Sequence, residues 1–244
     1  MRYGLFSDVH SNLEAFKVVL DVLKEENVDK YIFVGDLVGY GANPKECIEL
    51  LKRLAEDTGC VCVAGNHDYA TCGKTSDIGY NHYAVDAIHW TKKQLNDEDI
   101  AFLSDMKLVE KEEDLTIVHA NLIAPADWGY IIDIDDAFPN FSLMEKQICF
   151  IGHSHRPIIF TAGETIDWSV SERLEISQDM KYIINIGSVG QPRDGDPRAS
   201  CAVYDTDTNL VEIKRSDYNI RAAQKKIMDA NLPQILAERL SLGR

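Results

Sequence analysis

Paired sulfur is missing from this sequence. Its six cysteines (Cys47, Cys60, Cys62, Cys72, Cys149 and Cys201) include no Cys-x-x-Cys spacing, which argues against a zinc ribbon, a dithiol redox motif or a disulfide framework. Cys60, Cys62 and Cys149 lie in apolar, strand-like runs, where free cysteine behaves as a small hydrophobe. Reduced cysteines in a reducing compartment are therefore expected. Long apolar runs are also absent: nothing approaches the ~20 residues of a membrane span. Met1 leads almost at once into Tyr3 to Phe6, a run broken by Ser7-Asp8, without the cationic and apolar regions of a secretory leader. The expected location is the cytoplasm. Basic residues are in deficit, 25 against 40 acidic ones, for a formal net charge of −15. That balance argues against sequence-independent binding to nucleic acid or anionic membrane. No repeat, low-complexity tract or linker breaks the 244 residues, so one domain spanning 1–244 is expected.

What the sequence does contain is a recurring unit: a buried strand, a polar turn, then a helix. Tyr3 to Asp8 is strand-like and ends in Asp8-Val9-His10. Asn12 reads as a helix N-cap, with Leu13, Phe16, Val19, Leu20 and Leu23 at helical spacing. Lys30 to Val34 is a second strand, closed by Gly35-Asp36, and Pro44 opens a helix to about Glu56. Cys60 to Ala64 is a third, closed by Gly65-Asn66-His67-Asp68. The pattern is that of an α/β fold with parallel strands, whose functional groups gather where strands end and helices begin.

Further along, Tyr69 to Gly79 reads as a loop, and its glycine spacing does not match a phosphate-binding P-loop. Asn81 to Leu95 and Asp97 to Asp105 read as helices, on the first of which His82 and His89 are surface or packing residues. Lys107 to Glu112 and Leu115 to His119 read as paired strands. Residues 121–144 read as a loop-and-helix insertion, either a cleft rim or a plain connection. After His155 the pattern changes to short strands: Ile158 to Ala162, Trp168 to Ser171, Leu174 to Ile176, Tyr182 to Ile186, and a hairpin of Cys201 to Tyr204 with Leu210 to Lys214. Asn219 to Asp229 and Pro233 to Leu240 are terminal helical segments.

The histidines carry the chemistry. Of seven, His10, His67, His119, His153 and His155 each follow an apolar run. With Asp8, Asp36 and Asn66 they form a set of imidazoles, carboxylates and one carboxamide, a donor mix suited to Mn, Fe, Zn or related divalent ions. So many donors exceed the needs of one first-row ion and fit two ions sharing a bridging carboxylate. Two such ions about 3.5–4 Å apart can bind both the attacking and leaving oxygens of a phosphoryl displacement.

In this order the motifs Asp8-x-His10, Gly35-Asp36, Gly65-Asn66-His67-Asp68, His119 and Gly152-His153-Ser154-His155 resemble those of the calcineurin-like metallophosphoesterases. The resemblance implies a four-layer αββα sandwich of two mixed sheets with a binuclear centre at one edge. Asp8, His10 and His155 would bind one metal and Asn66, His119 and His153 the other, with Asp36 between them. The pair of divalent ions could be Mn, Fe, Zn, Ni or Co. His67 would be the proton donor or phosphate contact, oriented by Asp68, and metal-bound hydroxide would attack in line. Ala120 stands where many members carry glycine. The loop Asn185 to Asp194, with Arg193 as a phosphate contact, is similar to that of the small bacterial and archaeal phosphodiesterases and diadenosine-polyphosphate-hydrolase-like members. Arg193 and Asn66 are thus the candidate substrate contacts, with Arg156 a weaker one. The implied substrate is a small phosphodiester or nucleoside polyphosphate. A phosphomonoester or phosphoprotein, and a non-catalytic metal-binding scaffold, are the alternatives.

Overall fold

A computed structural model describes the whole chain, residues 1–244. The chain runs β1 (Arg2–Phe6), α1 (Leu13–Glu25), β2 (Lys30–Phe33), α2 (Pro44–Thr58), β3 (Val61–Cys62) and α3 (Asn66–Cys72). Helices α4 (His82–Gln94) and α5 (Asp97–Asp105) precede β4 (Val109–Lys111) and β5 (Leu115–Val118). Next come α6 (Ile134–Phe141), β6 (Ile148–Ile151), β7 (Ile158–Ala162), β8 (Ile166–Ser169), β9 (Arg173–Glu175) and β10 (Lys181–Asn185). The hairpin β11 (Ala199–Asp205) and β12 (Leu210–Ser216) leads to α7 (Ile220–Asp229) and α8 (Gln234–Glu238).

Strand alternation builds the layers. In β1, Leu5 points into one core and Phe6 into another; around β2, Ile32 and Val34 join Leu5 while Phe33 joins Phe6. In β6, Ile148 and Phe150 face the Leu5 core, and Cys149 and Ile151 face a third. A period of two puts successive side chains on opposite faces, so the shared Leu5–Phe150 core is the seam between two sheets. The outer face of the first sheet is covered by Ala15, Phe16, Val19 and Leu23 of α1 and Cys47, Ile48 and Leu51 of α2. Ala137 and Phe141 of α6 cover the second. The result is helix, sheet, sheet, helix.

Each sheet has six strands, ordered β3-β2-β1-β11-β12-β9 and β4-β5-β6-β10-β7-β8. Both are mixed: β1, β2 and β3 run parallel, as do β5, β6 and β10, while β11 and β7 join them antiparallel. The parallel strands all release their carboxyl ends on one edge, which is where the site is built.

Local signals account for the helices. Asn12 caps α1 by accepting from the Ala15 N–H at 3.2 Å. Pro44 starts α2, and Gly59, in the left-handed region at φ 69°, stops it. Each apolar side chain buried fully beneath α1, such as Phe16 or Leu23, stabilises the layer by about 1.5–3 kcal/mol.

Several expected spans shift. The stretch read as a loop from Tyr69 begins inside α3, whose first turn is closed by Asp68 accepting from the Gly65 N–H at 2.9 Å. The third strand shrinks to Val61–Cys62, with Val63 bridging to Lys107. The strands expected at Trp168 and Leu174 begin earlier, at Ile166 and Arg173, because β8 pairs with β7 and β9 with β12.

Candidate metal centre and catalytic cleft

The turns that follow β1, β2, β3, β5 and β6 bring Asp8, His10, Asp36, Asn66, His67, His119, His153 and His155 to one edge, each nine-tenths or more buried. The backbone there is strained in a consistent way. Asp8, His10, Asp36, His153 and His155 all have φ between 48° and 68°, the left-handed region that non-glycine residues rarely enter and that clusters at functional sites. Close approach adds a second constraint. A Cβ on Gly65 would collide with the Asp36 carboxylate, and one on Gly35 (φ 93°) would sit 2.7 Å from His119 Nδ1.

The donor atoms converge in two groups, Asp8, His10, Asp36 and His155, and Asp36, His119 and His153, each within 4.8 Å of one another. The imidazoles are oriented for this. His10 Nδ1 lies 3.1 Å from the Val38 carbonyl, His119 Nδ1 2.7 Å from that of Val34, and His155 Nδ1 2.6 Å from that of Gln191. A ring whose Nδ1–H donates to a carbonyl exposes a bare Nε2 lone pair. His10 Nε2 and His155 Nε2 then face each other at 3.0 Å. His155 Nε2 is 3.2 Å from Asp8 Oδ1, and His119 Nε2 is 3.3 Å from Asp36 Oδ2. Two lone pairs that close repel unless a proton or cation lies between, and neighbouring ligands of a metal bound at about 2.1 Å are separated by about 3 Å.

Asn66 offers one more donor at this edge. Its Nδ2 donates to the Tyr80 hydroxyl at 2.8 Å, while its Oδ1 is buried without a partner. His119 Nε2 is likewise buried, with the Asp36 carboxylate 3.3 Å away beside it. His153 differs from the other rings, since its Nε2 donates to the Trp128 carbonyl at 2.8 Å and Nδ1 is the nitrogen left for the cluster. An orphaned buried acceptor such as Asn66 Oδ1 costs about 1–3 kcal/mol, and a divalent cation would satisfy it. The residues fit a metal centre.

Charge follows the geometry. Burial alone would raise Asp8, but His155, His10 and His119 hold it well below the ordinary carboxylate range. Burial and imidazoles oppose each other in the same way at Asp36, where His119, His67 and His10 prevail and the carboxylate is held low. Burial lowers His119, yet Asp36 and Asp8 overcome it and push the ring up to about 9. Burial, aided by Arg193, takes His155 down to about 3; burial, aided by the His119 charge, takes His153 down to about 4.

His67 sits above this centre, its ring 4.4 Å from that of Tyr40 and 5.4 Å from that of Tyr80. Its Nδ1 is buried without a partner, and burial holds the ring well below the ordinary histidine range. Asp68 does not orient it. The Asp68 carboxylate accepts instead from four backbone N–H groups, those of Gly65 and Asp36 through Oδ2 (both 2.9 Å) and of Leu37 and Val38 through Oδ1 (2.9 and 3.2 Å). It therefore holds the turn that carries Asp36, and burial together with Asp36 raises it to about 7.

A cleft of about 600 Å³ opens over the centre, lined by Asp36, Asn66, His67, His153, His155 and Arg193. Arg193 is half-buried and tethered, its Nη2 donating to Gln191 Oε1 at 2.8 Å and facing the Tyr40 hydroxyl at 3.4 Å. Arg156 does not line this cleft; its Nε donates to the Arg193 carbonyl at 2.9 Å. Residues 126–128 and Tyr130 form one wall, so the 121–144 segment is a rim as well as a connection. Tyr130 stacks on His153 at 4.2 Å. Sequence reasoning missed the aromatic frame of Tyr40, Tyr80, Trp128 and Tyr130, whose only signal was aromatic residues in Gly- and Asn-rich loops. It also missed Asn185, which donates to the Gly152 carbonyl and to Ser154 Oγ (3.0 Å) and so braces the turn between the two histidines.

A profile of the calcineurin-like phosphoesterase superfamily domain matches residues 1–209. The chain belongs to the calcineurin-like phosphoesterase superfamily. This phosphoesterase is 41% identical to an uncharacterised protein of Methanocaldococcus jannaschii, over 99% of its own length and 98% of the relative's. It is 23% identical to phosphodiesterase YfcE of Escherichia coli K12, over 91% and 96% of the two chains. Among solved structures, a metallophosphoesterase from Sphaerobacter thermophilus superposes with a TM-score of 0.87 at 37% identity, covering 100% of this chain and 99% of that one. The fold and the family expected from the motifs stand, and the phosphoesterase is a metal-dependent phosphoric ester hydrolase. No helix is long and apolar enough to cross a membrane.

Proposed function

We propose that the chain hydrolyses a phosphodiester or a nucleoside polyphosphate with two divalent cations bound at the strand edge. The observation that carries this reading is Asp36, which belongs to both buried donor groups. Asp8, His10 and His155 would complete one metal site, and Asn66, His119 and His153 the other. Two such ions, drawn from Mn, Fe, Zn, Ni or Co by donor type, would offset charge on the phosphoryl oxygens and lower the pKa of a water to near neutrality.

The chain's own groups supply the rest. Asp68 fixes the Asp36 turn through four amides, so the shared carboxylate needs no rearrangement to serve both sites. His67 is neutral in the free protein and offers one N–H donor and one lone pair. An anionic phosphoester beside it raises its proton affinity, which suits it to protonate the leaving oxygen. Arg193, tethered at the lip of the cleft, would bind a phosphate oxygen through its guanidinium.

The test is a comparison of initial rates on bis-p-nitrophenyl phosphate and p-nitrophenyl phosphate with Mn²⁺-loaded protein. Faster cleavage of the diester is expected. A monoester cleaved far faster would overturn the diesterase reading, and metal retained without turnover on either would replace it with a scaffold.

A further inference from the structure

A second groove, of about 510 Å³, adjoins the catalytic cleft and shares Arg193 with it. It runs across Ser154, the residue between the two metal-site histidines, to Trp168 and Val170 at the edge strand β8. Its apolar surface is open: Ile132, Trp168 and Val170 are 57%, 56% and 69% exposed. Large side chains left open to water next to a reaction centre call for an occupant.

The groove also carries two cations without carboxylate partners. Arg193 donates to Gln191 and faces Tyr40, and Arg156 spends its Nε on the Arg193 carbonyl, leaving its terminal N–H groups free of the protein. Asp194, the one carboxylate on the rim, is engaged by Arg215. In a chain of net charge −15, two adjacent unpaired arginines form a local anion site.

Resting on the phosphoesterase reading above, we infer that this groove is the subsite for the distal part of the substrate: a flat aromatic group on Trp168 and Ile132, joined to the scissile phosphate through a further phosphate held by Arg156. The substrate class this selects is a nucleoside esterified through two or more phosphates, in preference to a simple diester. The metal centre and Arg193 handle the reacting phosphoryl group. Trp168 and Arg156 line this groove and not the cleft over the metal donors, and they act on specificity.

The experiment compares kcat/KM for diadenosine tetraphosphate and bis-p-nitrophenyl phosphate in the Mn²⁺-loaded wild type, Trp168→Ala, Trp168→Phe and Arg156→Gln. The ratio of the two values is expected to fall about tenfold in Trp168→Ala and Arg156→Gln, through KM for the tetraphosphate, and to be largely restored in Trp168→Phe. An unchanged ratio overturns the proposal, whether both substrates suffer equally or neither does. So does a wild type that cleaves bis-p-nitrophenyl phosphate and not the tetraphosphate, which would leave the phosphoesterase reading standing; cleavage of neither would overturn both. Sedimentation of the same variants covers the remaining occupant. A dimer abolished by Trp168→Ala, with the ratio intact, would assign the groove to a second copy of the chain.

Discussion

Replacing Asp68 by alanine separates the role expected from sequence from the one the structure gives it. As an orienter of His67, its loss would lower turnover and leave stability and metal binding nearly intact. As the acceptor for the amides of Asp36, Leu37, Val38 and Gly65, its loss strands four buried donors. At about 1–3 kcal/mol per unsatisfied group the gross cost is about 4–12 kcal/mol. Part of this is returned, because the carboxylate is itself disfavoured by burial and by Asp36, which raise it to about 7. Water entering the space left by the side chain recovers a further part, so a net loss of about 4 kcal/mol is expected, near the lower end. For a chain of this size that corresponds to a fall in Tm of about 10 °C. Thermal unfolding of the metal-free protein measures it, and a Mn²⁺ titration follows the Asp36 turn. A variant that melts within about 2 °C of wild type and binds metal normally would refute the amide-clamp reasoning and return Asp68 to His67.

Three further outcomes follow from the same geometry. His67→Ala is expected to lower kcat by about 10² or more while leaving metal content unchanged, since its ring lies outside both donor groups; metal loss by elemental analysis would make it a ligand. Gly65→Ala is expected to displace the Asp36 carboxylate, which the new Cβ would overlap, so that metal content drops even where the fold survives; a fully loaded variant would contradict this. Metal affinity is expected to rise with pH up to about 9. Below that value the metal-free His119 holds a proton that must leave before Nε2 can bind a cation, while His153 and His155, down at about 4 and 3, are already neutral. Mn²⁺ titrations at two pH values on either side of neutrality should differ by about tenfold per unit, and a flat profile would place the competing proton elsewhere.

The candidate donors were legible because each sits just after a short apolar run, and parallel strands deliver such residues to one edge whatever the details of the sheet. Asp8, His10, Asp36 and the two histidines flanking Ser154 needed no knowledge of partners. Asp68 was misread for the opposite reason: three of its four partners are backbone amides some thirty residues away, and no side-chain pattern announces an amide. Helix α3 was missed because its N-cap is Gly65 and its seven residues are too few for a helical period to show. The antiparallel pairing of β1 with β11, Arg2 against Asp205, is set by burial against the other sheet and is invisible to local spacing. The same holds for the groove at Trp168, whose walls come from four separate segments.

Elemental analysis of the purified protein, before and after chelation and Mn²⁺ re-addition, tests the central claim most directly when paired with turnover of bis-p-nitrophenyl phosphate. Two donor groups sharing Asp36 predict about two ions per chain, loss of activity on chelation, and its return with metal. A chain that holds no ion, or that turns over the diester equally well without one, would contradict the account.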